Sequence, residues 1–252
     1  MLKIYVLLVL SILLCSSLVI SSDIEQRKVH LVDMSTNPLP NGNTNYLFRG
    51  NEPKIGGENG TTVFAYSELV DYLQNASSQV GVTLPENFYI FDIKLITGPL
   101  PSEIPDIELE ANFFAANPEL GEFATNQTVG DIIDPNFLSQ TEIAKMVKSI
   151  YTWQKDDLPE RMRMIHNMLN YYENDLPVVI YIHCECGCDR TGEIFASYVM
   201  RFKGQSFQEA MDWDYQIAGR PIEWPSQWAS LWYCWYLYYI EDMAIDCSFV
   251  KP

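Results

Sequence analysis

Apolar residues recur along the chain with two spacings, and these predict strands and helices in alternation. The run 178–182 consists only of aliphatic and aromatic residues, as in a strand that is buried on both faces of a parallel sheet. The run 88–96 is β-branched and aromatic and predicts a second core strand. A shorter run at 46–49 predicts a third. Apolar residues at three- and four-residue spacing predict helices. These cover 63–75, 137–153, 158–174, 191–202, 206–215 and 226–243.

Alternating strands and helices predict an α/β fold. We expect one domain over residues 23–252, with a central, mostly parallel sheet flanked by helices. Two segments are predicted to lack regular structure. Segment 98–105 is rich in proline, and 107–134 is rich in Asn, Pro and Gly. We expect 107–134 to be a surface loop, with a substrate-facing insertion as the alternative.

The first 22 residues are predicted to be a secretory signal peptide, because Lys3 precedes an apolar run over 4–20 and small serines follow. The alternative is an uncleaved anchor, since the run approaches the length that spans a membrane. Three glycosylation sequons begin at Asn59, Asn75 and Asn126. We therefore expect a secreted or lumenal glycoprotein whose mature chain is not stably inserted in a membrane.

The charge balance narrows the choice of partners. The chain has 16 basic and 33 acidic residues, for a formal net charge of −17. Nucleic acids bind basic surfaces, so a nucleic-acid partner is excluded. An anionic membrane surface is disfavoured for the same reason.

Candidate chemistry lies directly after the strand at 178–182, in the sequence His-Cys-Glu-Cys-Gly-Cys-Asp-Arg-Thr-Gly. A strand, a tight loop and a helix would place Cys184 at the strand end and Arg190 at the helix start. Loop N–H groups and a helix N-terminus attract anions, and Arg190 can hold two phosphate oxygens. The same positive field lowers the pKa of a thiol. Cys184 is therefore predicted to be a thiolate that attacks bound phosphate.

The spacing of His183, Cys184, Arg190 and Thr191 after an apolar strand resembles the signature loop of the cysteine-dependent protein tyrosine phosphatase superfamily, with its dual-specificity-like members. The resemblance implies an enzyme that forms a phospho-cysteine on Cys184 and binds phosphate with Arg190. It implies that Thr191 helps the thiolate to leave, that His183 orients the loop, and that no cofactor or metal is required. The residues implied to bind phosphate are Glu185, Cys186, Gly187, Cys188, Asp189 and Arg190.

The loop departs from the family pattern at Asp189, Cys186 and Cys188. The Asp-Arg-Thr ending resembles phosphoinositide phosphatases of the myotubularin and Sac types. The substrate therefore stays open between a phosphorylated protein, carrying phosphotyrosine or phosphoserine/threonine, and a small phosphoester or phosphoinositide. Farther along, Arg220 is predicted to form an ion pair, with a second anion contact as the alternative.

Phosphate transfer also needs a general acid that protonates the leaving oxygen. Asp156 and Asp157 lie between a tryptophan and a proline upstream of the loop, in a stretch that resembles the family's acid loop. We expect Asp156 to be the acid, ahead of Asp157. The alternative is that both are solvated charges at the start of a helix. Asp189 is a third candidate, and Asp131 and Asp134 follow it.

The cysteines leave other functions open. Cys184, Cys186 and Cys188 beside a histidine could form a metal site. The chain could also be a catalytically inactive phosphate-binding module or a thiol redox protein. Cys184 stays free if Cys186, Cys188, Cys234 and Cys247 pair with one another; alternatively, it forms a reversible disulfide with a neighbour.

Overall fold

The computed structural model of the protein describes residues 23–57 and 60–249. The predicted signal peptide over 1–22 and the sequon residue Asn59 lie outside the described residues. Within the described part of the chain, no helix combines the length and the apolar character that crossing a membrane requires.

A five-stranded sheet forms the centre of the molecule, in the order β1-β2-β7-β5-β6. Its strands are β1 (His30–Met34), β2 (Tyr46–Asn51), β5 (Tyr89–Ile96), β6 (Gly121–Gln127) and β7 (Val178–Cys184). Strand β1 is antiparallel to β2, and the other neighbouring pairs are parallel. A separate hairpin joins β3 (Lys54–Gly56) to β4 (Thr62–Phe64). The predicted central, mostly parallel sheet is therefore present.

Seven α-helices cover both faces of the sheet in the described residues. They are α1 (Tyr66–Gln79), α2 (Ile104–Ala116), α3 (Gln140–Val147), α4 (Leu158–Tyr171), α5 (Asp189–Lys203), α6 (Phe207–Ala218) and α7 (Trp224–Tyr239). Buried residues of α3 to α7 form one apolar core, and those of α1 and α2 belong to a second core. The sheet separates the two cores, as expected for helices that flank a sheet in one domain.

Strand β7 contributes to both cores because its side chains alternate between the two faces. Ile180 and Ile182 join the core of α3 to α7, whereas Val179 and Tyr181 join the core of α1 and α2. The whole strand is buried. Burying each large apolar side chain stabilises the fold by about 1.5–3 kcal/mol, so the strand that precedes the cysteine loop is firmly held.

Segment 107–134 is not the irregular loop that we predicted. It contains most of α2 and all of β6. The polar composition of β6 fits its position at the edge of the sheet. Its first residue, Gly121, packs so closely on β5 that a Cβ atom would lie 2.2 Å from the carbonyl oxygen of Ile90. Glycine therefore marks a close approach here instead of a turn.

Two predicted helices have other bounds. The stretch 137–153 is divided into a 3-10 turn, the short helix α3 and a second 3-10 turn. Ser139 and Glu142 form a capping box at the start of α3, which explains why the helix begins later than its apolar pattern. The stretch 63–75 starts as β4, and only from Tyr66 onward is it helical. Pro105 lies in the first turn of α2, where proline is tolerated.

Candidate active site

The loop over residues 185–188 connects the buried end of β7 to the first turn of α5. Two side chains outside the loop donate hydrogen bonds to its carbonyl oxygens. Lys28 Nζ donates to the Cys186 oxygen at 2.9 Å, and Arg49 Nη2 donates to the Gly187 oxygen at 3.0 Å. When carbonyls face outward, the N–H groups of the same peptide units face inward. The loop therefore forms a concave nest of N–H donors at a helix N-terminus, which suits an anion.

Gly187 permits this loop shape. Its φ is +67°, and a Cβ atom on it would lie 2.5 Å from the carbonyl oxygen of Gly50 on β2. A side chain would therefore meet both backbone strain and a direct clash. The Arg49 side chain that holds the Gly187 oxygen is fully buried, and its Nη1 pairs with Asp214 Oδ1 at 2.6 Å.

Cys184 is a free thiol at the bottom of the loop, and only 2% of its surface is exposed. Thr191 Oγ1 donates to its sulfur at 3.1 Å. Burial raises the pKa of this thiol. The charge of Arg190, the Thr191 hydroxyl and the N–H groups of Thr191 and Cys188 outweigh burial, so the pKa of Cys184 lies below its ordinary value. The surroundings of Cys184 therefore stabilise its thiolate form relative to that of an ordinary cysteine.

Arg190 is half-buried beside this sulfur. Its Nη1 donates to the Leu95 carbonyl oxygen at 2.8 Å and to Glu103 Oε1 at 2.6 Å. Both contacts use one nitrogen and fix the plane of the guanidinium group. The other edge of the fork is thus oriented for a ligand with two oxygens.

Asp189 has a structural partner, namely Arg220. Arg220 Nη1 donates to Asp189 Oδ1 at 2.8 Å, and the Glu223 N–H donates to the same oxygen at 2.8 Å. A second contact joins Arg220 Nη2 to Asp189 Oδ2. This confirms the predicted ion pair of Arg220. Because its carboxylate is occupied by these donors, Asp189 does not act as a free proton donor in this structure.

The structure places Asp156 and Asp157, the two acids ranked first in the sequence, before helix α4. Asp156 is 1% exposed, and its carboxylate accepts the N–H groups of Val129 at 3.0 Å and Gly130 at 2.6 Å. It anchors the segment that follows β6. Asp157 precedes α4 with a left-handed backbone at φ 41°. In this structure both oxygens of the Asp156 carboxylate are occupied by backbone N–H groups.

Asp131 lies on the segment that directly follows β6. It is 7% exposed, and its Oδ2 accepts a hydrogen bond from Gln154 Nε2 at 2.8 Å. Burial, reinforced by the nearby charge of Asp156 and opposed by the Gln154 hydrogen bond, raises the pKa of Asp131 to about 6. We ranked this residue low because β6 was not recognised in the sequence. Recognising β6 would have placed Asp131 at the carboxyl end of a parallel strand, where active sites form.

His183 belongs to a buried cluster behind the loop. Its Nε2 lies 3.0 Å from Asp92 Oδ1 and 3.1 Å from Glu110 Oε2. Lys94 Nζ also contacts Glu110, at 2.7 Å. Burial lowers the pKa of His183, but the two carboxylates raise it to about 9. A protonated His183 therefore ties the end of β7 to β5 and α2.

Two groups of side chains contain the residue types that bind metal ions: a buried carboxylate–histidine cluster and the cysteines of the loop. Ligand atoms of Asp92, Glu110 and His183 lie within 4.8 Å of one another. However, the Lys94 ammonium already supplies positive charge to this cluster, and we assign it as an ion-pair network. The cysteine metal site is disfavoured because Cys186 and Cys188 form a disulfide, which removes two of the three thiolate ligands.

The disulfides follow one of the two predicted arrangements. Cys186 pairs with Cys188, and Cys234 pairs with Cys247. Cys184, which precedes all four of these cysteines in the described part of the chain, is left free. The alternative disulfide of Cys184 with a neighbour is absent from this structure.

No family model matches the sequence. A curated relative, Tyrosine-protein phosphatase MSG5 of Saccharomyces cerevisiae, is 26% identical over 129 residues, which cover 51% of this chain and 22% of that protein. Among solved structures, Tk-PTP in its active form has a TM-score of 0.33 at 15% identity, over 81% of this chain and 93% of that chain. A Legionella phosphoinositide phosphatase has a TM-score of 0.29 at 10% identity, over 77% of this chain and 28% of that chain. The relative's sequence supports the predicted resemblance to protein tyrosine phosphatases.

Proposed function

We propose that this chain is a phosphatase that hydrolyses phosphomonoesters through a phospho-cysteine at Cys184. One observation carries the proposal: a fully enclosed thiol retains a lowered pKa because Arg190, Thr191 and loop N–H groups all face its sulfur. Burial without such donors raises the pKa of a thiol. The similarity to a curated tyrosine phosphatase supports the same reaction.

The proposed reaction has two steps. The Cys184 thiolate attacks phosphorus, the bond from phosphorus to the ester oxygen breaks, and that oxygen leaves with a proton from a general acid. Water then attacks the phospho-cysteine, and the sulfur leaves as a thiolate that accepts the Thr191 hydroxyl, which lies 3.1 Å away. The inward N–H groups and the free edge of Arg190 hold the phosphoryl oxygens in both steps.

We propose Asp131 as the general acid. Its segment follows β6 at the same edge of the sheet as the loop after β7. The Asp131 N–H donates to the Pro225 carbonyl oxygen at 2.9 Å, and the nearby Glu223 N–H holds Asp189 beside Arg190. A pKa of about 6 keeps a fraction of this carboxyl protonated near neutral pH.

The decisive experiment compares the full chain with Cys184→Ser on a nitrophenyl phosphate. We expect the variant to lose turnover to the background rate and to accumulate no phosphoprotein in acid-quenched reactions, while it still binds tungstate. Retained binding with lost turnover would separate chemistry from folding. A variant that hydrolyses the ester as fast as the parent protein would refute the phospho-cysteine mechanism.

The substrate is proposed at the level of a phosphorylated protein or a small phosphoester. The printed name of the relative favours phosphotyrosine, whereas Asp189 motivated the phosphoinositide alternative. Because Asp189 is occupied by Arg220, we place phosphotyrosine first. Rates on matched phosphotyrosine and phosphoserine peptides and on an inositol phosphate would decide the order, and a preference for the inositol phosphate would reverse it.

We also propose that the protein is secreted or resides in the lumen of the secretory pathway. The two disulfides fit an oxidising compartment, and the sequon residue Asn75 is exposed on α1. Enzymatic removal of N-glycans from the expressed protein should increase its electrophoretic mobility. No change in mobility would contradict glycosylation.

A further inference from the structure

The Cys186–Cys188 disulfide lies inside the loop that carries Cys184. It closes a ring across one residue, Gly187, with 5.2 Å between the two Cα atoms. The Cys186 side chain is half-buried, whereas Cys188 is 1% exposed. The bond therefore restricts the backbone at the positions whose N–H groups face the proposed phosphate site.

Both halves of the disulfide contact groups that shape this site. The Cys188 N–H donates to the Cys184 sulfur and lowers the pKa of that thiol together with the stronger influence of Arg190. On the other side, Lys28 Nζ binds the Cys186 carbonyl oxygen at 2.9 Å and lies 3.7 Å from the Cys186 sulfur. The disulfide thus fixes the position of one thiolate donor relative to the outer support of the loop.

We infer that the Cys186–Cys188 disulfide positions the loop for anion binding, so that the phosphatase is active when this bond is oxidised and impaired when it is reduced. This inference rests on the proposed function and deepens it. A cross-link reduces the number of conformations that the loop can adopt, and donors that are already in place need no reorganisation during the reaction. Cys186 and Cys188 are positioning residues; Cys184 alone reacts with the substrate.

Reduction by a dithiol has a defined course. A thiolate of the reductant attacks the half-buried Cys186 sulfur, the disulfide breaks, and the Cys188 sulfur leaves as a thiolate. The second thiol of the reductant then attacks the reductant sulfur of the mixed disulfide, and Cys186 leaves as a thiolate. The reductant becomes a cyclic disulfide, and its two protons pass to the two cysteines. The loop then has no covalent link across Gly187.

The test treats the full chain with graded concentrations of a dithiol and maps the reduced cysteines by alkylation and mass spectrometry. We expect kcat/KM on a nitrophenyl phosphate to fall by about 10²-fold as the Cys186–Cys188 bond is reduced, because a small displacement of positioning groups costs that much. The pKa of Cys184, measured from the pH dependence of its alkylation, should rise in step. A disulfide that merely stabilised the fold would not shift this pKa in a protein that remains folded.

Two double variants provide the matched comparison. Cys186→Ser/Cys188→Ser should show the low rate and the raised pKa of Cys184 from the start, with no further loss of rate in dithiol. Cys234→Ser/Cys247→Ser removes the other disulfide, which is far from the loop in sequence. It should retain the activity of the oxidised parent and lose it in dithiol as the parent does. Circular dichroism checks that each variant is folded.

The inference is overturned if the loop double variant keeps the parent's kcat/KM and Cys184 pKa, or if reduction of the loop disulfide raises activity. If no form of the protein hydrolyses the ester, the proposed function fails, and tungstate affinity then decides the inference by itself. Weaker tungstate binding after loop reduction and in the loop variant would sustain it. Equal binding in all forms would overturn it. If the loop variant does not fold, graded reduction of the parent gives the answer.

Discussion

At the scale of single residues, the site depends on donors that face one sulfur atom. Burial alone would keep Cys184 as a neutral thiol, but Arg190, Thr191 and two N–H groups reverse that effect. The sequence predicted that Cys184, Arg190 and Thr191 lie together, and the structure places them so, because their spacing and the preceding strand are local features. It did not predict the contact of Arg190 with Glu103, since that contact joins α5 to the residue before α2.

The Thr191 hydroxyl can be tested without disturbing the backbone. Thr191→Ala removes the O–H group that lies 3.1 Å from the Cys184 sulfur, and Thr191→Ser keeps it. We expect the alanine variant to have a raised pKa of Cys184 and a kcat lower by about tenfold, because a hydrogen bond to a charged group contributes about 1.5–3 kcal/mol. The serine variant should stay close to the parent in both measurements. Equal behaviour of the two variants would show that the hydroxyl has no such role.

The acid assignment makes a prediction about pH. Protonated Asp131 is needed for the first step, so activity should decline as pH rises through its pKa of about 6. Asp131→Asn should remove this alkaline limb and lower kcat by about 10²-fold. The defect should be larger for phenyl phosphate than for nitrophenyl phosphate, because the poorer leaving group needs the proton more. An Asp134→Asn variant that alone showed this pattern would move the role to Asp134.

At the scale of elements, patterns with strong periodicity were predicted well and polar elements were not. The sequence predicted β7, α5 and a helix that begins near residue 206; in the structure Ser206 and Glu209 form a capping box at the start of α6. It missed β6, since an edge strand with polar residues lacks the apolar run of a central one. That omission placed Asp131 behind Asp156 among the predicted acids, because the position of Asp131 becomes meaningful only once β6 is known.

The loop itself is an element whose shape can be tested at Gly187. Gly187 and Gly204 both have positive φ, at +67° and +69°, but only at Gly187 would a Cβ atom clash with backbone. Gly204→Ala should cost about 1–2 kcal/mol of stability, from backbone strain alone, and leave tungstate binding intact. Gly187→Ala should in addition abolish tungstate binding, measured by calorimetry. Undiminished binding in Gly187→Ala would contradict the outward-facing carbonyl arrangement.

At the scale of the whole molecule, a network of buried charged side chains connects the cysteine loop to strand β5 and helix α2. Lys94 contacts Glu52 and Glu110, and Glu110 contacts His183. The Glu52 N–H donates to the Glu185 carbonyl oxygen of the loop at 3.3 Å. Sequence reasoning could not find this network, because its members are distant in the chain and each resembles an ordinary surface charge until the fold buries it.

This network makes stability depend on pH. The pKa of His183 is raised from 6.5 to about 9, so its contribution is complete below pH 6.5 and is lost as pH rises toward 9. His183→Gln should therefore lower the free energy of unfolding most at pH 6, with a difference from the parent that narrows toward pH 9. Urea titrations at several pH values measure this. His166→Gln, at a partly exposed histidine, is the control and should show no such trend; a constant difference for His183→Gln would refute the charged pairing.

The order of the strands has a consequence for biosynthesis. Strand β7 lies between β2 and β5, yet it is synthesised after the other four strands of this sheet. Until residue 184 has emerged, β2 and β5 face each other across a gap and present unpaired edges that promote aggregation. A nascent chain arrested before Val178 should therefore need chaperones. Synthesis of β7 completes the sheet, and synthesis of Arg190 and Thr191 then completes the surroundings of Cys184. The groups that lower the pKa of Cys184 are thus synthesised only after every strand of the five-stranded sheet.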